Sequence, residues 1–157
     1  PSQRNEGYLA SPTGKTVAFG GRLAGMSVEQ WLKWLEQLHF KAIDMGLERI
    51  ARVAHKLKLT NSTPFIFMVA GTNGKGSTAA LLDQLLRHNG RTVGLYTSPH
   101  LTSFHERSVI NGEPCDDSLL LKAFAAVESA REGVSLTYFE FTTLAAIWIF
   151  KQQSMDA

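Results

Sequence analysis

Val69-Ala70-Gly71-Thr72-Asn73-Gly74-Lys75-Gly76-Ser77-Thr78 is the stretch that decides how this chain reads. Before it, Pro64 opens Phe65-Ile66-Phe67-Met68-Val69-Ala70, a short continuous apolar run of the kind found in buried parallel strands. After it, Ala80, Leu81, Leu82, Leu85 and Leu86 fall at helical spacing between Ser77 and Asn89, with Gly90 as a stop. A second strand is expected at Thr92 to Thr97. Strand, glycine loop, helix and strand in that order predict a βαβ unit with a right-handed crossover. Glycines at 71, 74 and 76 let the backbone turn tightly and approach an anion, while loop N–H groups and the helix start supply partial positive charge. Lys75 is placed to neutralise β- and γ-phosphates, and Ser77 or Thr78 to reach a phosphate or its magnesium. The spacing departs from the Walker pattern G-x-x-x-x-G-K-[ST]: Val69 and Gly76 stand where Gly and Ser or Thr would be. A structural glycine turn is the alternative, and the flanking strand and helix favour phosphate over it.

Upstream, Ser27 and Gln30 have capping-box spacing ahead of a stripe of Val28, Trp31, Leu32, Leu35 and Leu38. Trp31 and Trp34 on such a stripe read as core rather than as a ligand platform. A second helix carries Leu47, Ile50, Val53, Ala54 and Leu57 on one face, and Lys41 to Gly46 between the two suits a turn or helix start. Downstream, Asn111-Gly112 predicts a hairpin with a type I′ turn. Helices follow over about Asp117 to Arg131, capped by Asp116-Asp117-Ser118, and about Phe141 to Gln153. His39, His55, His88 and His105 are scattered singly and read as surface or satisfied core.

The chain has 157 residues, 44% hydrophobic and 19% charged, a composition that excludes disorder and fibrous repeats. A domain of this size buries roughly 68–70% of its unfolded surface, so neither disulfides nor structural metal are needed. A single cysteine, Cys115, and no Cys/His cluster at zinc spacing point to a reducing, cytoplasmic setting. No apolar run approaches the roughly 18 residues of a membrane span. Of the net charge of +2, all is carried by residues 1–25, where Arg4, Lys15 and Arg22 face Glu6 alone. The neutral remainder argues against nucleic acid as a partner. Residues 1–25 read as a flexible leader, and Gly14-Lys15-Thr16 within them lacks the strand and helix a phosphate loop requires. The domain is expected over residues 26–157.

Gly71 to Ser77, Thr97-Ser98-Pro99-His100-Leu101 and Thr137-Tyr138-Phe139-Glu140 together resemble the folylpolyglutamate synthase/dihydrofolate synthase family, relatives of the Mur ligases. Asp44-Met45-Gly46-Leu47-Glu48-Arg49 is similar to the family's pterin-proximal segment. The resemblance implies a P-loop-type, three-layer α/β domain with a mostly parallel sheet. It implies an ATP-dependent ligase, acting as a monomer, that joins L-glutamate to dihydropteroate or folate through an acyl phosphate. Carried over by position, Gly71, Thr72, Asn73, Gly74, Lys75, Gly76 and Ser77 would wrap the ATP phosphates, with Lys75 catalytic. Ser98 would offer its hydroxyl to Mg²⁺, a hard oxygen ligand; on residues alone it is a turn serine. His100 is a loop histidine with no metal role. Asp44, Met45 and Gly46 with Thr137, Tyr138, Phe139 and Glu140 would line the dihydropteroate site. Phe139 suits pterin stacking or core, and Glu140 suits the site or a helix N-terminus.

The same resemblance implies parts these residues do not contain: a magnesium-binding glutamate on a following strand, a later histidine ligand, a modified lysine and a C-terminal domain. The chain therefore resembles roughly the first third of such an enzyme, inactive alone. A module that binds nucleotide or pterin without catalysis and a P-loop phosphotransferase are the competing readings. The second is disfavoured by the Ser98-Pro99-His100 and Thr137 to Glu140 segments.

Overall fold

The computed structural model describes residues 23, 25–38, 46–60 and 64–157. Most of the expected leader, Gly14-Lys15-Thr16 within it, His39, and Asp44 and Met45 lie outside the described residues. Helix α1 (Val28–Glu36) starts on the expected capping box: the Ser27 hydroxyl accepts from the Gln30 N–H at 3.3 Å, and the Gln30 side chain accepts from the Ser27 N–H at 2.8 Å. Helix α2 (Glu48–Lys56) follows, then α3 (Lys75–His88), which begins two residues earlier than its apolar pattern because Gly74 forms its left-handed cap. Helices α4 (Asp117–Arg131) and α5 (Tyr138–Gln152) close the chain. Asp116 caps α4 by accepting from the Leu119 N–H at 2.8 Å. Helix α5 starts ahead of the expected Phe141 because Thr137 and Glu140 form a second full capping box.

The helices enclose an aromatic core. Phe124 is fully buried and lies 5.7 Å from Trp31, 5.8 Å from Phe104 and 6.1 Å from Phe141, ring centre to ring centre. Trp31 meets Trp34 edge-on at 5.4 Å, so both indoles are core, as their stripe predicts. Cys115 is buried and unbridged, and burial pushes its thiol up to about 11. No helix of the described residues is long and apolar enough to cross a membrane.

The sheet corrects the expectation of mostly parallel pairing. Strands β1 (Gly94–Tyr96), β2 (Ser108–Ile110) and β3 (Glu113–Pro114) form an antiparallel ladder in the order β1-β2-β3, with Leu95 opposite Val109. The expected hairpin is present: Asn111 and Gly112, at φ 50° and 89°, turn the chain between β2 and β3. The expected strand at Phe65 to Ala70 makes no ladder. It runs without regular structure, with Phe65, Ile66, Phe67 and Met68 all exposed. A continuous apolar strand needs neighbours on both edges and cover on both faces. Among the described residues its one strand-like bond runs from the Phe65 N–H to the Asp156 carbonyl at 2.9 Å.

The chain's tail nonetheless pairs in the parallel sense. The Ala157 N–H bonds the Thr92 carbonyl and the Gly94 N–H bonds the Ala157 carbonyl, bracketing Val93 as a parallel neighbour would. Asp156 locks this register, its carboxylate accepting from both the Thr92 N–H and hydroxyl. The tail thus lies between Phe65 and the approach to β1, and the two strands expected to flank α3 are separated by it. Gly94 is required here, because a Cβ would sit 2.5 Å from the Phe150 ring.

Replacing Phe124 by Ala empties the junction of α1, α4, α5 and the turn at Phe104. A loss of about 3–5 kcal/mol in urea unfolding is expected. A loss below about 1 kcal/mol would show that the core does not converge on this ring.

Candidate functional site

The glycine loop leads directly into α3, and the geometry of that junction follows from its sequence. Gly74 sits at φ 74°, a conformation that L side chains rarely adopt, and caps the helix with no side-chain hydrogen bond. The first turn of α3 carries no acidic residue. The first N–H groups of α3 have no partner within the helix and form the positive end of its dipole. Gly71 to Thr78 are all exposed. The Lys75 ammonium folds back onto the loop, donating to the Gly71 carbonyl at 2.5 Å and lying 3.5 Å from that of Thr72.

Ser98 and Pro99 lie just beyond β1 and are exposed, joined by a cis peptide bond. Their loop is tied to residues that sequence reasoning passed over, Glu106 and Arg107. The Glu106 carboxylate accepts three successive backbone N–H groups, from Leu101 at 2.9 Å, Thr102 at 3.1 Å and Ser103 at 2.9 Å. The bonds from Leu101 and Ser103 foremost, with lesser help from Thr102 and His100, hold its carboxyl below its ordinary value against an opposing effect of desolvation. The Arg107 Nε donates to His100 Nδ1 at 2.8 Å. Arg107 is buried, and its guanidinium carbon lies 5.7 Å from the Phe104 ring centre and 5.5 Å from that of Tyr138. The signal was present in the sequence: Ser103-Phe104-His105-Glu106 has capping-box spacing, and both halves of the box form. His105 is likewise engaged, between the Ser103 hydroxyl at 2.8 Å and the Asp117 carboxylate at 2.6 Å.

Thr137 to Glu140 meets this loop through Arg107 and Tyr138. Thr137 and Glu140 are themselves buried and committed to the start of α5. The Thr137 hydroxyl accepts from the Glu140 N–H at 3.1 Å, and Glu140 accepts from the Thr137 N–H at 2.8 Å and from Arg49 at 2.9 Å. Phe139 is the member of the segment that faces out, half exposed, with its ring 6.5 Å from Tyr96. The Tyr96 hydroxyl reaches Thr143 at 3.2 Å, so β1 and α5 are joined beside Phe139. Gly46, exposed, immediately precedes Leu47 and α2, whose Arg49 makes the ion pair with Glu140. Arg49 thus ties α2, just after Gly46, to Glu140, and Arg107 ties the loop after Ser98 to Tyr138.

Because the folded Glu106 carboxyl is lowered, its contribution is present above the ordinary value of 4.5 and is lost as pH falls through the lower folded value. The amide protons of Leu101, Thr102 and Ser103 are expected to shift together in an acid titration, with a midpoint below 4.5. Glu106→Gln should abolish that common titration; independent midpoints in the native protein would refute the shared acceptor.

No family model matches the chain. It is 47% identical over 133 residues to the dihydrofolate synthase/folylpolyglutamate synthase of Escherichia coli K12, covering 85% of this chain and 32% of that protein. Among solved structures, E. coli FolC in complex with DHPP and ADP superimposes with a TM-score of 0.82 at 47% identity, over 85% of this chain and 32% of that one. The bifunctional folylpolyglutamate synthase/dihydrofolate synthase of Yersinia pestis, complexed with AMPPNP and Mn ion, gives 0.80 at 45% identity, over the same shares. The chain thus spans about a third of the length of these relatives. Over 85% of its residues the chain is homologous to dihydrofolate synthase/folylpolyglutamate synthases, of which it spans about a third, and it shares their Mur-ligase-like α/β fold.

Proposed function

We propose that these residues form the phosphate-binding and metal-facing part of an ATP-dependent ligase that joins L-glutamate to dihydropteroate or folate in the cytoplasm. The observation that carries the reading is the start of α3: an exposed glycine loop, a left-handed Gly74, no side-chain cap and no acid in the first turn. Relatives solved with ADP and with AMPPNP support it.

The reaction sets two anions against each other. A substrate carboxylate oxygen attacks the γ-phosphorus of ATP, the bond to the ADP oxygen breaks, and an acyl phosphate results. The glutamate amine then attacks the acyl carbon, loses a proton, and phosphate leaves. Gly71, Thr72, Asn73, Gly74, Gly76 and Ser77 would hold the nucleotide phosphates, with the N–H groups of α3 as donors. Lys75 would exchange its Gly71 and Thr72 carbonyl partners for phosphate oxygens, placing a full charge where negative charge gathers. Phe139, with Gly46 and the neighbouring Asp44 and Met45, would face the flat pterin. Thr137 and Glu140 would support that surface by fixing the start of α5, with Tyr138 beneath it against Arg107.

The Ser98 hydroxyl, exposed and of hard oxygen type, fits one position around Mg²⁺. Among the described residues no group of three or more His, Cys, Asp or Glu gathers to hold an ion. When bound, Mg²⁺ polarises phosphoryl oxygens. The chain's span of about a third of these relatives leaves a second reading of the 157 residues taken alone: nucleotide binding without ligation. Phe65 to Met68, and Leu81 and Leu85 on α3, carry exposed apolar side chains against which the rest of such an enzyme would pack.

Lys75→Ala is expected to weaken binding of Mg-AMPPNP by about tenfold to a hundredfold in calorimetric titration, the range for a lost charge-assisted hydrogen bond. Unchanged affinity would remove Lys75 from the site. The ligase carrying this chain should form ADP only when dihydropteroate or folate and glutamate are both supplied with Mg-ATP. ADP formation indifferent to the acceptor would defeat the ligase assignment, and glutamate ligation by the 157 residues alone would defeat the second reading.

A further inference from the structure

Glu106 and Arg107 hold the Ser98 loop on both of its flanks. On the near side, the Arg107 carbonyl accepts from the Thr97 N–H at 3.1 Å, and the Glu106 carbonyl from the Thr97 hydroxyl at 3.4 Å. On the far side, the Arg107 guanidinium bonds His100, and the Glu106 carboxylate bonds the N–H groups of Leu101, Thr102 and Ser103. Residues 97 and 100–103 are therefore fixed by two consecutive residues, and the unheld apex between them is Ser98-Pro99. Arg107 is a buried cation held by rings and an imidazole: Phe104 below it, Tyr138 above it, His100 at its Nε. A buried guanidinium needs a reason to be there, since burial of charge is costly. Arg107 joins the loop after β1 to the first residue of α5, next to Phe139, and so sets the distance between the two faces of the site.

We propose that Glu106 and Arg107 are positioning residues that aim the Ser98 hydroxyl at the nucleotide's metal and couple that aim to the start of α5. His100 serves as the anchor for Arg107 through Nδ1. The inference rests on the reading of Ser98 given above. Neither residue touches substrate; each acts through the loop. Outer groups that orient a metal ligand change metal affinity by about tenfold to a hundredfold when removed.

The test measures Mn²⁺ affinity in the presence of AMPPNP by electron paramagnetic resonance, amide hydrogen exchange at residues 97–103, and the KM for glutamate, in the ligase carrying this chain. Arg107→Gln is expected to weaken Mn²⁺ binding at least about tenfold with the glutamate KM unmoved. Arg107→Lys should fall with it, because a point charge cannot both lie against two rings and reach His100. Glu106→Gln should speed exchange at Leu101, Thr102 and Ser103 together. Should removal of the buried Arg107 prevent folding, His100 separates the roles: His100→Ala should lose Mn²⁺ affinity, while His100→Asn, whose side-chain oxygen can stand in for Nδ1, should keep it. Wild-type Mn²⁺ affinity in folded Arg107→Gln or His100→Ala would overturn the proposal, as would full affinity in Arg107→Lys. Loss in His100→Asn equal to that in His100→Ala would also overturn it, by showing that the imidazole acts through Nε2. A native ligase that binds no Mn²⁺-nucleotide would instead overturn the reading of Ser98 on which the proposal stands.

Discussion

The Glu140 carboxylate is the interaction on which the site's framework depends. It is buried and ionisable, so it must be fully partnered or it would oppose folding. One oxygen takes the Thr137 N–H and closes the cap of α5; the other takes Arg49 from α2. Helix entry, the α2 to α5 contact and the placement of the segment 137–140 are thus one arrangement. Substituting Glu140 would remove its ion pair with Arg49 and release the Thr137 N–H from the capping box, so its effects on ligand and on fold would be hard to separate. Phe139 stands apart: it is exposed beside this rigid start and its removal leaves the cap intact.

A second carboxylate repeats the device at the Ser98 loop with the opposite balance of burial. Glu106 is solvent-facing and gains its hold by accepting three backbone N–H groups in one loop, where direction matters more than low dielectric. Each carboxylate closes a capping box, one on a 3₁₀ turn and one on a helix, and each is adjoined by an arginine that reaches a different element. Fixed frames of this kind stand around Ser98 and Phe139, whereas Lys75 is held only by carbonyls of its own loop. Under the proposed function, the division would suit a reaction in which phosphates are admitted and released while the surfaces assigned to metal and pterin keep their spacing.

Much of this was legible in the residues. Local rules that depend on a few neighbouring side chains held closely: the Ser27/Gln30 box, the Asn111-Gly112 hairpin, the Asp116 cap, and the tryptophans as core. The glycine loop also led into a helix as its spacing required. What failed was strand pairing, because a ladder depends on partners that periodicity does not name. Phe65 to Ala70 read as a buried parallel strand on composition, yet its sole strand-like partner among the described residues is Asp156. Thr92 to Thr97 read as its parallel neighbour, and the part of it that forms a strand, Gly94 to Tyr96, is laddered to β2 in the antiparallel sense. Glu106 and Arg107 were missed for a different reason. Their signal is a capping signature, Ser103 to Glu106, that lies just downstream of the motif-bearing residues and matches none of those motifs. Arg107's contact with Tyr138 joins positions 31 apart and has no local signal at all.

The unpaired apolar run bears directly on the phosphate loop. A loop between strand and helix is held from both ends, and here the two ends differ. On the helix side, α3 packs on β1, and its buried Asp83 is bonded to Arg87, whose guanidinium lies over Gly112 in the hairpin. On the strand side, Phe65 to Met68 carry exposed apolar side chains and a single backbone tether. Exposed apolar surface on that scale favours whatever covers it. Cover over Phe65 to Met68 would fix the entry to Gly71, and with it the direction in which the first loop N–H groups point. Under the proposed function, phosphate binding and burial of this apolar run would be linked, each lowering the cost of ordering the other by the same amount.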